Sequence, residues 1–506
     1  MNLTRIDLSA SNLGLCAVGT LLSWYLITSI VAWYRLRHIP GPFLASFSYL
    51  WLAGVAQSAR QYYVHKDLCK KYGPLVRVGP NELTTDDPEV LKRMPAARSL
   101  YDRDAWYLGA RFNAHHDSLF TMRDRAGHTE RKAKVVSGLA GRETPLIEAG
   151  VDAQVTTLIE VIRENYLWDP SSKQNKLLDF APLISYFTMD VISKVAFGEE
   201  FGYLKANADL FDFLREVRDS WPRLAMAVDV PWIRNVLFSK LFLKFFGPTE
   251  KDEKGMGKCI GIAQKFVEKR FEPDADQQND LLGTWIRNGL SRKECEVDGL
   301  LMIIAGSDTT ASTIRITMLY VMTCPQVYQK LKHEIDTAVR EGRASSPISY
   351  DEARRLPYLQ AVIYEGLRQR PPAPGLYPKS VPPEGDYIHG KFIPGGTAIG
   401  MNTASLFSST TQFGVDAGIF RPERFTEASE EHREHMKKTI ELCFGHGRFM
   451  CAGKPVAFME LNKAFFELLR HFDFQLVNPT KPWESRSYSV FVEENMWVKV
   501  TKAIKQ

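Results

Sequence analysis

The stretch that decides the reading is Phe444-Gly445-His446-Gly447-Arg448-Phe449-Met450-Cys451-Ala452-Gly453. Two glycines ahead of the cysteine allow a tight loop, and Gly453 lets the backbone pass close to something flat. The apolar run Val456, Ala457, Phe458 and Leu461 begins a helix directly afterwards. Cys451 therefore falls at or near a helix N-terminus, where amide groups favour a thiolate. One thiolate in a loop of backbone donors suits a soft axial metal ligand. A dinucleotide-binding loop fits less well, because it needs a third glycine where Met450 stands and a strand leading in. A buried packing cysteine is the usual fate of a single Cys, but it leaves the surrounding glycines unexplained.

Working outward from the loop, Ser291 and Glu294 form an S-x-x-E capping box. It opens a helix with no proline until Pro325. Such a helix has about 32 residues and a length of about 48 Å. Its middle, Gly299 to Gly306, is apolar on all sides, so it should run through the core. Mid-length it carries Ala305-Gly306-Ser307-Asp308-Thr309-Thr310. An acid and a hydroxyl deep in an apolar helix are costly unless paired or used. Further on, Glu365-Gly366-Leu367-Arg368 sets an acid and a base one turn apart. Arg424, in Phe420-Arg421-Pro422-Glu423-Arg424-Phe425, can complete a forked network with them. Taken singly, an i,i+3 Glu/Arg pair is usually a solvated bridge of small value. In this order, ending in the cysteine loop, the features reinforce one another.

At the other end, Leu13 to Tyr34 is a run of twenty-two residues without a charge. As a helix it spans about 33 Å, enough for a bilayer core. Trp33 and Tyr34 stand where an interfacial aromatic belt belongs. The run is too long for a cleaved signal peptide, and no small-x-small site follows. Arg35, Arg37 and His38 come next, then Ile39-Pro40-Gly41-Pro42, whereas only Arg5 and Asp7 precede the span. The positive-inside bias then puts the body of the chain in the cytoplasm. The layout is a lumenal segment 1–12, a transmembrane anchor 13–34, a basic and proline-rich hinge 35–43, and a catalytic body 44–506.

The 506 residues are 45% hydrophobic and 24% charged, which excludes disordered, collagen-like and coiled-coil classes. A net charge of +5 without blocks of like charge gives no footing for nucleic-acid binding. Seven cysteines without a CxxC pair exclude a zinc grid or disulfide framework. Leu75–Val78 and Glu82–Thr85 read as strands, Gly127 to Arg270 as mainly helical, and Pro/Gly-rich hairpins follow Pro371. The fold class is mainly α with a minor β component. His115-His116 and His432/His435 read as solvated surface. The aromatic stretch Trp221 to Phe246 reads as a substrate lid, a second membrane contact or core.

With these motifs in place, the sequence resembles the cytochrome P450 family of haem-thiolate monooxygenases over nearly its whole length, in the style of microsomal fungal enzymes of secondary metabolism. The resemblance covers the anchor and proline hinge, the AGxDTT helix, the ExxR pair, the PERF segment and the cysteine loop. Phe444, Gly447 and Gly453 fill the family pattern around the ligand. The resemblance implies that Cys451 is the proximal iron ligand of haem b and that Asp308 and Thr309 relay protons to dioxygen. Ala305 would leave room beside the helix, and Glu365, Arg368 and Arg424 would form a structural network. It also implies electrons from NADPH through a flavoprotein reductase (NADPH-cytochrome P450 reductase), a small apolar substrate with O2, membrane lipid around the anchor, and the endoplasmic reticulum as location.

The departures lie around the haem propionates. The family often has Arg or His two residues before the cysteine; Phe449 stands there and Arg448 one residue earlier. A Trp-x-x-x-Arg pair on an early helix becomes His128 with Lys132. The Arg of the strand after the ExxR helix becomes Lys379. His128, Lys132 and Lys379 are expected to share the propionates. Arg448 belongs either to the cofactor's edge or to the face offered to a reductase. Two other functions remain: a haem-thiolate isomerase or dehydratase needing no reductase, and a non-enzymatic haem sensor or carrier. The intact Asp308-Thr309 pair argues against the first, and an open distal site against the second.

Overall fold

A computed structural model describes residues 10–139, 146–171, 175–275 and 278–504. Its axis is the helix Arg292–Thr323, 32 residues opened by the capping box: Ser291 accepts from the Glu294 amide while the Glu294 carboxylate reaches back to the Ser291 amide. Satisfying the first-turn donors from both sides lets the helix start sharply at Ser291. Twenty residues of this central helix are buried, on all faces, as its apolar middle predicts. It packs most extensively on the helix Phe180–Phe197, itself almost wholly buried. A Cβ on Gly306 would strike Ile192 of that neighbour at 2.6 Å, so this glycine permits the close crossing of two backbones.

The cysteine helix Lys454–His471 and the Glu–Arg helix Pro357–Gln369 pack on the central helix and on each other, completing the main core. The β structure is peripheral. A five-stranded sheet runs in the order Leu75–Arg77, Glu82–Thr85, Ala398–Met401, Lys379–Ser380, Asp102–Arg103. Within it Glu82–Thr85 and Ala398–Met401 pair in parallel, and the other neighbours pair antiparallel. This sheet brings Arg103 and Lys379, far apart in sequence, into direct register. The hairpin Glu484–Ser487/Phe491–Glu494 closes against the central helix from another side.

At the N-terminal end the helix Ala10–Leu36 projects from the body, and the span Gly14–Leu36 is long and apolar enough to cross a membrane. Its end is tied down by Arg77, which donates to the carbonyls of Ala32 (2.9 Å) and Trp33 (3.3 Å). Pro40 accepts from the Arg77 amide at 2.8 Å, and a Cβ on Gly41 would meet the Arg77 carbonyl oxygen at 2.1 Å. The proline hinge is thus pressed onto the sheet edge, with Leu36 and Ile39 buried beneath it. Of the segment expected to be lumenal, residues 1–9 lie outside the described residues.

The aromatic stretch Trp221 to Phe246 is not core throughout. It forms the end of the helix Phe213–Asp229 and two short helices, Pro231–Leu237 and Lys240–Phe246. Trp232, Val236, Leu241, Phe245 and Phe246 stand on the surface. Five large exposed apolar side chains in fifteen residues form a patch that a soluble surface rarely carries.

Candidate active site

The cysteine loop folds as its glycines require. Gly445 and Gly447 both take positive φ, +76° and +55°. A Cβ on Gly447 would lie 2.4 Å from the Pro95 carbonyl oxygen. The Cys451 amide donates to the Phe444 carbonyl at 2.6 Å, closing the loop. Phe444 itself packs on Phe458, with ring centroids 5.5 Å apart. Gly453 is the N-cap of the cysteine helix. Burial pushes the Cys451 thiol up, while the Gly453 and Lys454 amides and the Lys132 and Lys454 ammonium groups pull it down. Burial outweighs these, so the thiol stands above its ordinary range and the donors and cations at the helix N-terminus offset only part of the rise. The residue keeps accessible surface because its sulfur opens on a cavity.

That cavity has a volume of 320 Å³. From the central helix it is lined by Ala305, Gly306, Thr309, Thr310 and Thr313, and from the cysteine loop by Phe444, Phe449, Cys451 and Gly453. Leu119, Phe120, Leu301, Met302, Pro372, Tyr377 and Ile399 make the remaining wall mostly apolar. Thr309 donates back to the Ala305 carbonyl at 3.0 Å, which fixes its hydroxyl in the cavity wall. Asp308 is not among the residues that line this cavity, and its side chain keeps 32% of its surface accessible. Burial pushes its carboxyl up to about 6, with Arg315 pulling back and Glu493 adding to the rise.

At one edge of the cavity, cations gather around Phe449. His128 meets that ring edge-on at 5.1 Å, with Arg103 at 4.9 Å and Lys379 at 5.4 Å from its centroid. Lys379 is buried and donates to the Tyr107 hydroxyl (2.6 Å) and the Tyr377 carbonyl (2.9 Å). Burial holds its ammonium well below the usual lysine range. Arg103 donates to the carbonyls of Leu119 and Phe120 but leaves its buried Nε without a partner. Burial lowers it to about 10. His128 is held down to about 3 by burial and the surrounding cations, and its Nδ1 is also orphaned. Among the described residues Arg103, Lys379 and His128 make no ion pair with a carboxylate. Buried basic groups of this kind call for an anion, and the cavity they line has room for a group with acidic edges.

Lys132 is placed differently: its ammonium donates to the carbonyls of Arg448 (2.9 Å) and Met450 (2.8 Å), clamping the cysteine loop, although its side chain also lines the cavity. Arg448 lies outside the cavity lining, and its guanidinium donates to the carbonyls of Ala97 and Ser99. Of the two alternatives for Arg448, the geometry leaves the cofactor's edge without support.

Glu365, Arg368 and Arg424 form one buried network, not a surface bridge. Arg368 forks onto Glu365 at 2.8 and 2.7 Å, and Arg424 Nε sits 3.1 Å from both oxygens. Arg368 also donates to the carbonyls of Phe407 (2.8 Å) and Ala417 (2.7 Å), and Arg424 pairs with Asp416 at 2.9 Å. The network pins the Phe407 to Phe425 segment to the Glu–Arg helix.

Sequence reasoning missed three groups. Arg103 and Tyr107 sit in a short segment without periodicity. Glu460, on the cysteine helix, lines the cavity with one carboxyl oxygen unpartnered, and burial pushes it well up. Cys443 also borders the cavity, while His115, His116, His432 and His435 are exposed. Among the described residues no group of three His, Cys, Asp or Glu could hold a metal ion, so a single-thiolate site is the one on offer.

The family model described as Cytochrome P450 matches residues 39–499. The chain is 54% identical over 469 residues to cytochrome P450 monooxygenase aba1 of Botryotinia fuckeliana, covering 92% of both. It is 46% identical to cytochrome P450 monooxygenase abl1 of Leptosphaeria maculans, over 95% of this chain and 85% of that one. Pisatin demethylase of Fusarium vanettenii is 29% identical, over 92% and 90% respectively.

Proposed function

This chain belongs to the cytochrome P450 family as a monooxygenase of the fungal secondary-metabolism type, and from that premise we propose what it does and with which residues. It inserts one oxygen atom of O2 into a small apolar molecule, using haem b and electrons from NADPH delivered by a flavoprotein reductase. The observation that carries this reading is that Cys451, in its glycine loop, and Thr309, on the central helix, line one apolar cavity. Bound there, the haem supplies dioxygen binding and activation, with the thiolate's electron donation favouring O–O cleavage.

The chain's own residues do the rest. The Gly453 and Lys454 amides offset part of the burial that raises the Cys451 thiol, and Lys132 fixes the loop that carries it. Arg103, Lys379 and His128 take the propionate edge, where the orphaned Arg103 Nε and His128 Nδ1 find partners. Asp308 accepts and releases a proton, and the Thr309 hydroxyl holds it within reach of the cavity. The apolar wall orients substrate and excludes water, which strengthens every polar contact inside. Glu365, Arg368 and Arg424 hold the proximal side rigid. Hydroxylation is the basic outcome; hydroxylation beside an ether oxygen gives demethylation, the reaction in one relative's name, and repeated turnover gives further oxidation.

The chain sits in the endoplasmic reticulum membrane by the Gly14–Leu36 helix, with the body in the cytoplasm. The exposed Trp232, Leu241, Phe245 and Phe246 rest on the same lipid surface. The deciding experiment is the carbon monoxide difference spectrum of dithionite-reduced membranes. A strongly red-shifted Soret band that disappears in Cys451→Ala supports the ligand. Folded protein without a haem band, or an unchanged band in the variant, refutes it. NADPH consumption tied to substrate separates oxygen insertion from a rearrangement that needs no reductase.

A further inference from the structure

Two turns along the central helix from Asp308 stands Arg315, with its side chain only 3% exposed. Its Nε donates to Glu493 Oε2 at 3.0 Å, and its Nη1 to Ser185 Oγ at 2.7 Å and the Ala181 carbonyl at 3.2 Å. Its Nη2 lies 3.5 Å from Asp308 Oδ1, beyond a good hydrogen bond. Glu493 comes from the hairpin strand Phe491–Glu494, and its side chain is fully buried. Its Oε2 also accepts from Ser312 Oγ at 2.9 Å, while Oε1 has no partner.

Two carboxyl groups therefore share one guanidinium, and Glu493 has the better hold on it. A single buried Arg cannot compensate two full negative charges, so whichever acid loses the contest keeps its proton. The charged groups facing Asp308 are Arg315 from its own helix and Glu493 from the hairpin. The Tyr377 phenol, before the strand Lys379–Ser380, also senses it. Asp179, the cap of the helix Phe180–Phe197, senses Arg315 from the far side, with Glu494 beside it. The helix Phe180–Phe197 itself contributes the neutral Ser185.

We infer that Glu493, working through Arg315 and anchored by Ser312, is a positioning residue for proton delivery: it holds Arg315 at 3.0 Å and so keeps the guanidinium from closing within 3.5 Å of Asp308, which leaves that carboxyl free to exchange a proton. This rests on the reading of Asp308 and Thr309 as the proton carriers. Glu493 touches neither cavity nor substrate; it acts by occupying the cation that would otherwise fix Asp308 as a carboxylate. Replacing it with a neutral isostere frees Arg315 to close on Asp308. An opposite charge moving into contact lowers a carboxyl by about one unit or more, roughly a tenfold change in its protonated fraction.

The test is an infrared pH titration of the full-length, haem-loaded protein in detergent, reading the protonated-carboxyl stretch. The Asp308 contribution is isolated by subtracting the same protein carrying Asp308→Asn, in each of three backgrounds: unmodified, Glu493→Gln and Ser312→Ala. In the unmodified protein Asp308 is expected to titrate at about 6. In Glu493→Gln the midpoint is expected about one unit lower. In Ser312→Ala it should move the same way by a smaller amount, because Glu493 without its anchor holds Arg315 less firmly. An Asp308 midpoint that stays at the unmodified value in Glu493→Gln overturns the inference. If that variant loses its haem, an unmoved midpoint in Ser312→Ala does so instead. The underlying reading fails separately: peroxide released per NADPH, with reductase present, would then be the same in Asp308→Asn as in the unmodified protein.

Discussion

Glu365→Gln is the sharpest perturbation of the proximal network, because it keeps the shape and removes the charge that two arginines share. Glu365 is 0% exposed, Arg368 1% and Arg424 4%. Four nitrogen–oxygen contacts between 2.7 and 3.1 Å lose their ionic partner at once. Leaving a buried charge uncompensated costs about 3–5 kcal/mol, whereas a solvated i,i+3 pair contributes about 0.3–0.5 kcal/mol. For a chain of 506 residues, an unfolding entropy of about 2.1 cal/mol/K per residue amounts to about 1 kcal/mol/K. The apparent midpoint should then fall by about 3–5 °C, against roughly half a degree or less for a surface bridge. Loss of the Soret band on heating the holoprotein at a fixed scan rate reads the shift, since unfolding of so large a chain is irreversible. Arg368→Lys should approach the same loss, because an ammonium cannot reproduce the fork onto Glu365 together with the Phe407 and Ala417 carbonyls. A Glu365→Gln protein with full haem content and a midpoint lowered by less than about 1 °C would refute the reasoning.

Thr309→Ala should keep haem binding while diverting electrons to peroxide and water; coupling at the unmodified level would show that another group holds the proton. Arg103→Ala and Lys379→Ala should each weaken haem retention by about 10- to 100-fold in a transfer assay to apomyoglobin, the loss of one or two charge-assisted hydrogen bonds. Unchanged retention in both would remove them from the propionate edge. Deleting residues 1–38 should leave part of the protein on membranes, and adding Trp232→Ser, Phe245→Ser and Phe246→Ser should release it; full release by the deletion alone would deny the patch a role.

Much of the fold was legible because its signals are local. A capping box at Ser291 and Glu294 with no proline before Pro325 gave both ends of the central helix, and the glycines before Cys451 gave the loop. The charge network was legible as a co-occurrence of Glu365, Arg368 and Arg424, but not its burial, since an i,i+3 pair reads the same on a surface. The sheet was opaque because Glu82–Thr85 pairs with Ala398–Met401 across more than three hundred residues. Arg103 was opaque for the same reason: it becomes a cavity cation only when Asp102–Arg103 pairs with Lys379–Ser380. Glu493, followed by Glu494, looks like one more exposed strand charge until the hairpin folds over Arg315. Gly306 borders the cavity, and its missing side chain also serves the close contact with Ile192, which no local signal announces.

The distribution of charge around the cavity links cofactor binding to folding. On the propionate side Arg103 Nε and His128 Nδ1 are buried without partners, a cost of about 1–3 kcal/mol for each, and Lys379 is buried without a carboxylate. On the other side Asp308 has Arg315 within 3.5 Å and Glu493 beyond it, a cluster that is nearly self-contained. An acidic-edged planar group entering between them relieves the first set and leaves the second almost untouched. Its binding energy therefore becomes stability of the proximal half: the cysteine loop, Lys132 and the strands Asp102–Arg103 and Lys379–Ser380. The apoprotein should accordingly lose amide-exchange protection first in those segments, while the central helix around Asp308 and Arg315 stays protected. Equal loss of protection in the hairpin Glu484–Ser487/Phe491–Glu494 and in the cysteine loop would contradict this division.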